Sequence, residues 1–386
     1  MFLKTFPIFR KTKVFFNGGF ERFSVTIRDT QPLAARTTVI TPTMPSSKRT
    51  VVLFTSLGTA KLTDVDLGEL PDDKVLVRTE VSAISAGTER AMLLDAPNLG
   101  DQRTPCGLFP KWPGYSSVGI VEGVGKNAES VQVGDRVLAH WGGVHANYNQ
   151  LTEANLLKIA NRELPSEHAV FAMIAGFSLN GLRKTRLELG ESAAVVGMGI
   201  LGAFAVALCR IAGGSPVIAA DLSERRRALA LSLGAHYAFD PADKDYIQKV
   251  RDASRGGVNA AIEVTGLSAA LKQTLAFTAK FGRVSLLGCT RVADNDIDFY
   301  QDVHRPGIEL IGAHTDARAK LESRPHAWTW KDDARALMDF MADGRLDMTK
   351  ILSATYSPHE APDVYERLAN AHADFPVGAV FDWRKL

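Results

Sequence analysis

Three glycines and one carboxylate carry the most legible chemistry in this chain. Gly197-Met-Gly199-Ile-Leu-Gly202 follows a short apolar run at 192–196 and opens a helix-like segment from 202 to about 212. Gly197 permits a tight turn, Gly199 lets backbone approach a diphosphate, and Gly202 lets a helix pack on a strand. A second apolar run, 216–220, stops at Asp221, 19 residues past Gly202. At that distance a carboxylate accepts hydrogen bonds from both hydroxyls of an adenosine ribose. A G-x-G-x-x-G alone is weak evidence. With a strand before it, a helix after it and an acid at this spacing, it points to dinucleotide binding. The diphosphate would sit on the free N–H groups that begin the helix, those of Ile200 and Leu201 among them, where the helix dipole favours negative charge. Asp221 would repel a 2′-phosphate and satisfy a free ribose, so NAD is expected over NADP. Arg225, Arg226 and Arg227 pull the other way, because arginine here is what NADP sites use, but the carboxylate should dominate.

Bulk properties set the frame for these groups. At 386 residues the chain can build two domains with full cores. Hydrophobic content of 46% and charged content of 23% are those of an ordinary globular protein. A net charge of +2 makes no case for a nucleic-acid partner, and no apolar run reaches the roughly 20 residues of a membrane helix. Residues 1–47 differ from the rest, with seven Lys/Arg against two Asp/Glu, a net of +5 that leaves −3 for the remainder. They lack an uninterrupted apolar stretch and a small-residue cleavage site, which argues against a secretory signal. A basic targeting segment and a plain upstream extension are the alternatives. The extension is favoured, poorly packed, with the fold beginning near Met44. Cys106, Cys209 and Cys289 are far apart and odd in number, which argues against a disulfide framework and fits a reducing, cytoplasmic compartment. Cys209 reads as a small core residue.

The elements that must position the site follow from periodicity. Strands are expected at 50–55, 74–81, 119–124 and 135–139, punctuated by Pro113-Gly114 and Gly134-Asp135, which makes a β-rich domain with few helices. A helix is expected over 166–187. Strands at 193–196, 217–220, 237–239, 260–264, 283–287 and 309–311 then alternate with helices at 224–234, 244–253 and 268–280, the parallel, doubly wound α/β pattern. Helices at 331–344 and 362–370 and a strand at 377–383 fall outside that repeat and should return to the first domain. The expected plan is an extension (1–47), a catalytic domain in two parts (48–170 and 315–386) and an inserted NAD-binding Rossmann domain (171–314).

With these pieces placed, the chain resembles the medium-chain dehydrogenase/reductase superfamily, the zinc-type alcohol dehydrogenase fold, over roughly residues 50–386. The resemblance rests on the order and spacing of Gly87-Thr88-Glu89, Pro113-Gly114-Tyr115 with Gly119, Gly134-Asp-Arg-Val137, the glycine turn with Asp221, Ile262-Glu-Val-Thr-Gly266 and Gly282-Arg-Val284. It implies a GroES-like catalytic domain split by the cofactor domain, a cleft between them where nicotinamide meets a small-molecule substrate, and a homodimer or homotetramer. It adds Arg226, Thr265 and Gly288 to the cofactor-binding residues. Where the family has a pyrophosphate-binding arginine, this chain has Gly87.

The departures concern metal. The positions matching the family's zinc ligands look like Ala86, Tyr115-Ser116 and Ala175, and none supplies the Cys, His, Asp or Glu that catalytic zinc requires. The four-cysteine structural lobe is missing as well. His140 and His145, five apart, could chelate a metal. Their strand–loop–strand setting in the resemblance favours surface or hydrogen-bonding roles instead, and no zinc is expected. GTE with PGYSSVG resembles the zinc-lacking branch, bacteriochlorophyllide dehydrogenases included, whereas WTWKDDARALMDFMADGRLD and FPVGAVFDW look more like sugar- and polyol-oxidising relatives.

Without zinc, hydrogen-bond donors and a general acid/base must handle the substrate oxygen. Thr88 falls at the family's hydroxyl relay and Tyr115 at a ligand position facing the cleft. With Ser116, they are the candidates for positioning and protonating that oxygen, and the alternative is that Tyr115 only fills the emptied metal pocket. Glu89 would orient a partner or bind substrate hydroxyls, or form a structural ion pair with Arg90 or another base. His304, ahead of the 309–311 strand, is a further candidate, or a solvated loop residue. The expected activity is zinc-independent hydride transfer between NAD(H) and a secondary alcohol or ketone, such as a sugar or polyol. The rivals are an enone or quinone reductase, which Asp221 speaks against, and a cofactor-binding sensor that has lost its chemistry.

Overall fold

The computed structural model describes residues 47–99, 103–292 and 297–386. The expected N-terminal extension lies outside the described residues, apart from Ser47. The described chain opens with an antiparallel hairpin, β1 (Lys48–Ser56) and β2 (Thr59–Asp66), closed by a turn in which Gly58 takes φ +70°. Next come β3 (Val75–Ile84), α1 (Ala86–Leu93), β4 (Ser116–Val124), β5 (Arg136–His140), β6 (Tyr148–Leu151) and β7 (Leu156–Lys158). The short α2 (Ser166–Ala169) and the longer α3 (Ala172–Thr185) lead out of this β-rich part.

The βα repeat then runs through β8 (Ala193–Val196), α4 (Ile200–Ile211), β9 (Val217–Ala220), α5 (Glu224–Ser232), β10 (Tyr237–Phe239), α6 (Tyr246–Ala253), β11 (Val258–Glu263), α7 (Ser268–Phe277), β12 (Thr278–Leu286) and β13 (Glu309–Gly312). Its six strands lie parallel in the order β10-β9-β8-β11-β12-β13, so the order reverses beside β8, where ligands of open parallel sheets bind. Helix α4 is buried nearly all round, as its sequence ILGAFAVALCRI demands. Burial also pushes the Cys209 thiol up to about 12, so it is an inert core group.

After the repeat come α8 (Trp330–Ala342), α9 (Met348–Ile351), β14 (Leu352–Tyr356), α10 (Ala361–Asn370) and β15 (Gly378–Asp382). The last strand pairs antiparallel with β3, setting Ala379 opposite Ile84 and Asp382 opposite Val81, and β14 lies parallel beside it. The terminal pieces thus complete a seven-stranded sheet, β14-β15-β3-β4-β5-β7 with β6 also on β3. This is an α/β fold, a Rossmann doubly wound sheet joined to a GroES-like β-rich part. One apolar core runs through both, with Val81, Val118 and Leu138 of the first sheet meeting Ala172, Ile174 and Phe204, and then Val195 and Val217 of the second.

Three expectations need correction. The helix at 166–187 is two helices, because the fully buried Val170-Phe171 step breaks it and the Val170 carbonyl accepts the Ser116 hydroxyl. The helix at 268–280 ends at Phe277, where Thr278 turns extended and its hydroxyl bonds the Thr274 carbonyl at 2.6 Å. Helix α1 was not anticipated, yet it carries Thr88 and Glu89.

Candidate functional site

The glycine turn between β8 and α4 is shaped for a diphosphate. Gly197 has φ +96°, and a Cβ there would meet Thr265 Cγ2 at 2.8 Å. A Cβ on Gly202 would fall 1.8 Å from the Gly197 carbonyl, so only glycine lets the helix start this close to the strand. A Cβ on Gly199 would meet nothing within 4 Å, which leaves open space in front of the turn. No side chain caps α4, so the N–H groups of Ile200 and Leu201 remain available to an anion. The donors and the open space fit a dinucleotide.

Asp221 follows β9, 11% exposed at its side chain, with Oδ2 accepting from Met198 N at 2.7 Å and Oδ1 from Ser223 N at 2.8 Å. Two bonds leave a carboxylate with lone pairs to spare. Arg226 sits 4.0 Å from it and donates to the His372 and Ala373 carbonyls, so it ties α5 to the C-terminal segment. Arg227 is committed to Asp240 and to the Asp221 and Leu222 carbonyls, while Arg225 is exposed.

Two further loops close on this turn. Glu263, 2% exposed, ends β11 and receives N–H bonds from Thr265 and Gly266 as well as the Thr265 hydroxyl. Burial raises the Glu263 pKa, and these donors oppose the rise. A Cβ on Gly288 would lie 2.3 Å from Gly266 N, so the loops after β11 and β12 touch backbone to backbone. Thr265 and Gly288 therefore stand beside the glycine turn.

On the catalytic side the structure groups Tyr115, Thr88 and a residue the sequence reading passed over, Ser85. The Tyr115 phenol donates to Ser85 Oγ at 2.7 Å, with the Thr88 hydroxyl also close enough to hydrogen-bond it. Desolvation raises the phenol's pKa well above its usual value, so it is held protonated. Its ring packs on Phe177 at 5.6 Å and edge-on to His140 at 6.3 Å, and the Cys289 thiol beside Gly288 is close enough to act on it electrostatically. His140 is half-buried, with Nδ1 3.1 Å from the Tyr115 carbonyl and its ring 5.4 Å from Trp330; desolvation lowers its pKa and keeps it neutral.

The other candidates are placed elsewhere. Ser116 is fully buried and spends its hydroxyl on the Val170 carbonyl at 2.6 Å. Glu89 is 1% exposed and lies one layer behind Tyr115, accepting from Ser85 N at 2.9 Å and from the Tyr365 hydroxyl at 2.6 Å, with His145 Nε2 at 3.3 Å. Its partner base is His145 rather than Arg90, which bonds the Ala369 carbonyl. His145 is therefore a buried histidine, not a surface one, with Nδ1 2.7 Å from Ser82 Oγ. His304 is exposed and stacks edge-on with Tyr300 at 5.4 Å, with no contact joining it to Tyr115 among the described residues.

Fit to zinc fails on the donor set. No group of three or more His, Cys, Asp or Glu among the described residues could hold a metal ion. Ala86 and Ala175 offer no donor atom, and both nitrogens of His145 are occupied. No step below runs through a metal.

Two family models match the chain: an alcohol dehydrogenase GroES-like domain over residues 71–177 and a zinc-binding dehydrogenase over 201–328. The chain is 26% identical over 292 residues to L-threonine 3-dehydrogenase of Caldanaerobacter subterraneus subsp. tengcongensis, covering 66% of this chain and 79% of that protein. It is 23% identical over 272 residues to D-guloside 3-dehydrogenase of Shigella flexneri, covering 68% and 74%. Among solved structures it shares its fold with a putative zinc-binding dehydrogenase of Sinorhizobium meliloti bound to NADP, at TM-score 0.73 and 22% identity over 87% of this chain and 100% of that one. With these matches on the same two halves that the strand order separates, the chain belongs to the medium-chain dehydrogenase/reductase superfamily and is an oxidoreductase of the alcohol dehydrogenase fold.

Proposed function

We propose that the protein is an NAD-dependent, zinc-independent dehydrogenase that oxidises a secondary alcohol or reduces its ketone, with a sugar, polyol or related hydroxylated small molecule as substrate. The observation that carries this reading is the Tyr115 phenol, buried, protonated and hydrogen-bonded to Ser85 at a position where the family places a metal ligand. NAD, when bound along the Gly197–Gly202 turn with its ribose on Asp221, supplies the hydride acceptor. In the ketone-to-alcohol direction the phenol donates to the carbonyl oxygen and offsets the developing negative charge. In the reverse direction the phenol stays protonated and donates the same hydrogen bond to the substrate oxygen, while the hydroxyl proton is released to bulk solvent as hydride leaves. Neutral His140 and Phe177 wall the phenol and exclude water. Asp221 supports NAD as cofactor, and Arg226 braces it. The unpaired outer edge of β13, among the described residues, supports a homo-oligomer.

Following the absorbance of reduced nicotinamide across sugars, polyols and simple alcohols tests the activity. Silence across the panel with both NAD and NADP would overturn it.

A further inference from the structure

One charged group close to Phe177 has no hydrogen-bond acceptor for its fork among the described residues. Arg318, in the segment between β13 and α8, gives Nε to the Thr315 carbonyl at 3.1 Å. Its two terminal nitrogens are out of contact with water and meet no acceptor among the described residues. A guanidinium with an empty, dehydrated fork is costly, and buried polar groups are otherwise nearly always satisfied.

Nearby carboxylates act on it only through space. Asp333 is buried, but its Oδ1 binds Arg183 at 2.9 Å, and the Arg183 guanidinium lies flat on Trp328 at 3.6 Å. Asp333 Oδ2 is unpaired too, yet no Arg318 nitrogen comes within ion-pair distance of it. Asp316 is exposed and faces His314. Asp333 and Asp316 thus act on Arg318 through space, but neither bonds its fork.

The fork also lies near the residues around Tyr115. Arg318 Cζ stands 5.5 Å from the centre of the Phe177 ring, which also packs on the Tyr115 ring at 5.6 Å. Its charge reaches His140, which caps the Tyr115 carbonyl. The Phe177 ring thus neighbours both the fork and the phenol.

We propose that Arg318 is the anion-binding residue of the substrate pocket and that the natural substrate carries a carboxylate or a phosphate near its reacting hydroxyl. A planar fork matches the two oxygens of either group, and charge-assisted bonds of this kind are the strong ones. The substrate half of this statement rests on the dehydrogenase reading above; the anion site does not.

Matched pairs test it with NAD present: 3-hydroxybutyrate against butane-2,3-diol for the carboxylate, and glycerol 3-phosphate against glycerol for the phosphate. The expected result is a KM at least about tenfold lower for one anionic member than for its neutral partner. Arg318→Gln should raise that KM about tenfold to a hundredfold and collapse the anionic-to-neutral ratio. A preference for the neutral members, or a ratio untouched by Arg318→Gln, overturns the proposal. Should Arg318→Gln not fold, Arg318→Lys keeps the charge, loses the fork and should show a partial loss of the ratio. Calorimetric binding of butyrate and inorganic phosphate gives a readout that needs no turnover. Binding by the wild type that Arg318→Lys weakens sustains the anion site even if no substrate in the panel is oxidised. No binding of either anion, or equal binding by both proteins, sinks it.

Discussion

The hydroxyl of Tyr365 donates to Glu89 Oε2 at 2.6 Å, although 276 residues separate the two in sequence. The same carboxylate takes the Ser85 amide and faces His145, which is in turn held by Ser82, itself bonded to Trp383 Nε1 at 2.8 Å. A buried polar network therefore locks α1 to α10 and to the C-terminal strand, and it sets Ser85 under the Tyr115 phenol. Replacing Glu89 by leucine leaves several buried donors unmet and should cost about 3–5 kcal/mol, while Tyr365→Phe should cost about 1–3 kcal/mol. Urea unfolding midpoints measure both. A Glu89→Leu protein as stable as the wild type would show that the network is not structural.

Tyr115→Phe keeps the ring against Phe177 and removes only the proton-bearing oxygen. Turnover should fall about a hundredfold with little change in KM, the scale of a lost general acid. Because burial raises the phenol's pKa, no tyrosine ionisation should shape the rate at or below its ordinary value of about 10. An unchanged kcat would reduce Tyr115 to a filler of the vacated metal position.

Two glycines of the turn should separate folding from cofactor binding. Gly202→Ala forces a methyl into the Gly197 carbonyl and should lower both thermal stability and NAD affinity. Gly199→Ala meets no protein atom within 4 Å, so its Tm should hold while NAD binding weakens. Calorimetry and thermal unfolding of the two variants decide it; equal NAD affinity in Gly199→Ala and the wild type would place the diphosphate elsewhere.

Asp221→Ser should shift the ratio of kcat/KM values at least about tenfold from NAD toward NADP, since it removes the charge that repels a 2′-phosphate and leaves Arg225 and Arg226 in place. A wild-type protein that already prefers NADP would show that these arginines outweigh the carboxylate.

Acid stability should register Asp95. The Lys111 ammonium and the Gly107 amide hold its carboxyl at about 2, below the ordinary carboxylate value. A pKa depressed in the folded state contributes stability above the unfolded value and loses it as pH falls toward 2. Asp95→Asn should therefore flatten the wild-type decline in urea midpoint between pH 4 and about pH 2. Parallel curves for the two proteins would refute the assignment.

The glycine turn proposed for the cofactor was readable in the chain because its determinants are local. Gly197, Gly199, Gly202 and Asp221 act through backbone conformation, steric clearance and a strand–turn–helix contained within 37 residues, Glu191 to Arg227. The alternation of buried strands and helices likewise marked the doubly wound half, while the missing donors at Ala86 and Ala175 are the sequence's argument against zinc. Element ends were read less well, since the break at Val170 depends on a hydroxyl from β4, far away in sequence. Ser116, a candidate beside Tyr115, points into that scaffold for the same reason: successive residues of a strand face opposite sides of the sheet.

The sequence by itself determined the fold and the superfamily, and it nominated a glycine turn for a dinucleotide and Tyr115 for a position where the family has a metal ligand. Only the tertiary structure decided which side chains surround that position. Ser85, His140 and Phe177 reach Tyr115 from α1's approach, β5 and α3, with Arg318 of the segment after β13 close to Phe177, and no spacing rule links them. Their roles depend on burial and on partners: a phenol held protonated by desolvation, a histidine held neutral, and a guanidinium whose fork meets no acceptor among the described residues. Those are properties of packing, which arise when distant segments share one core and exclude water from it.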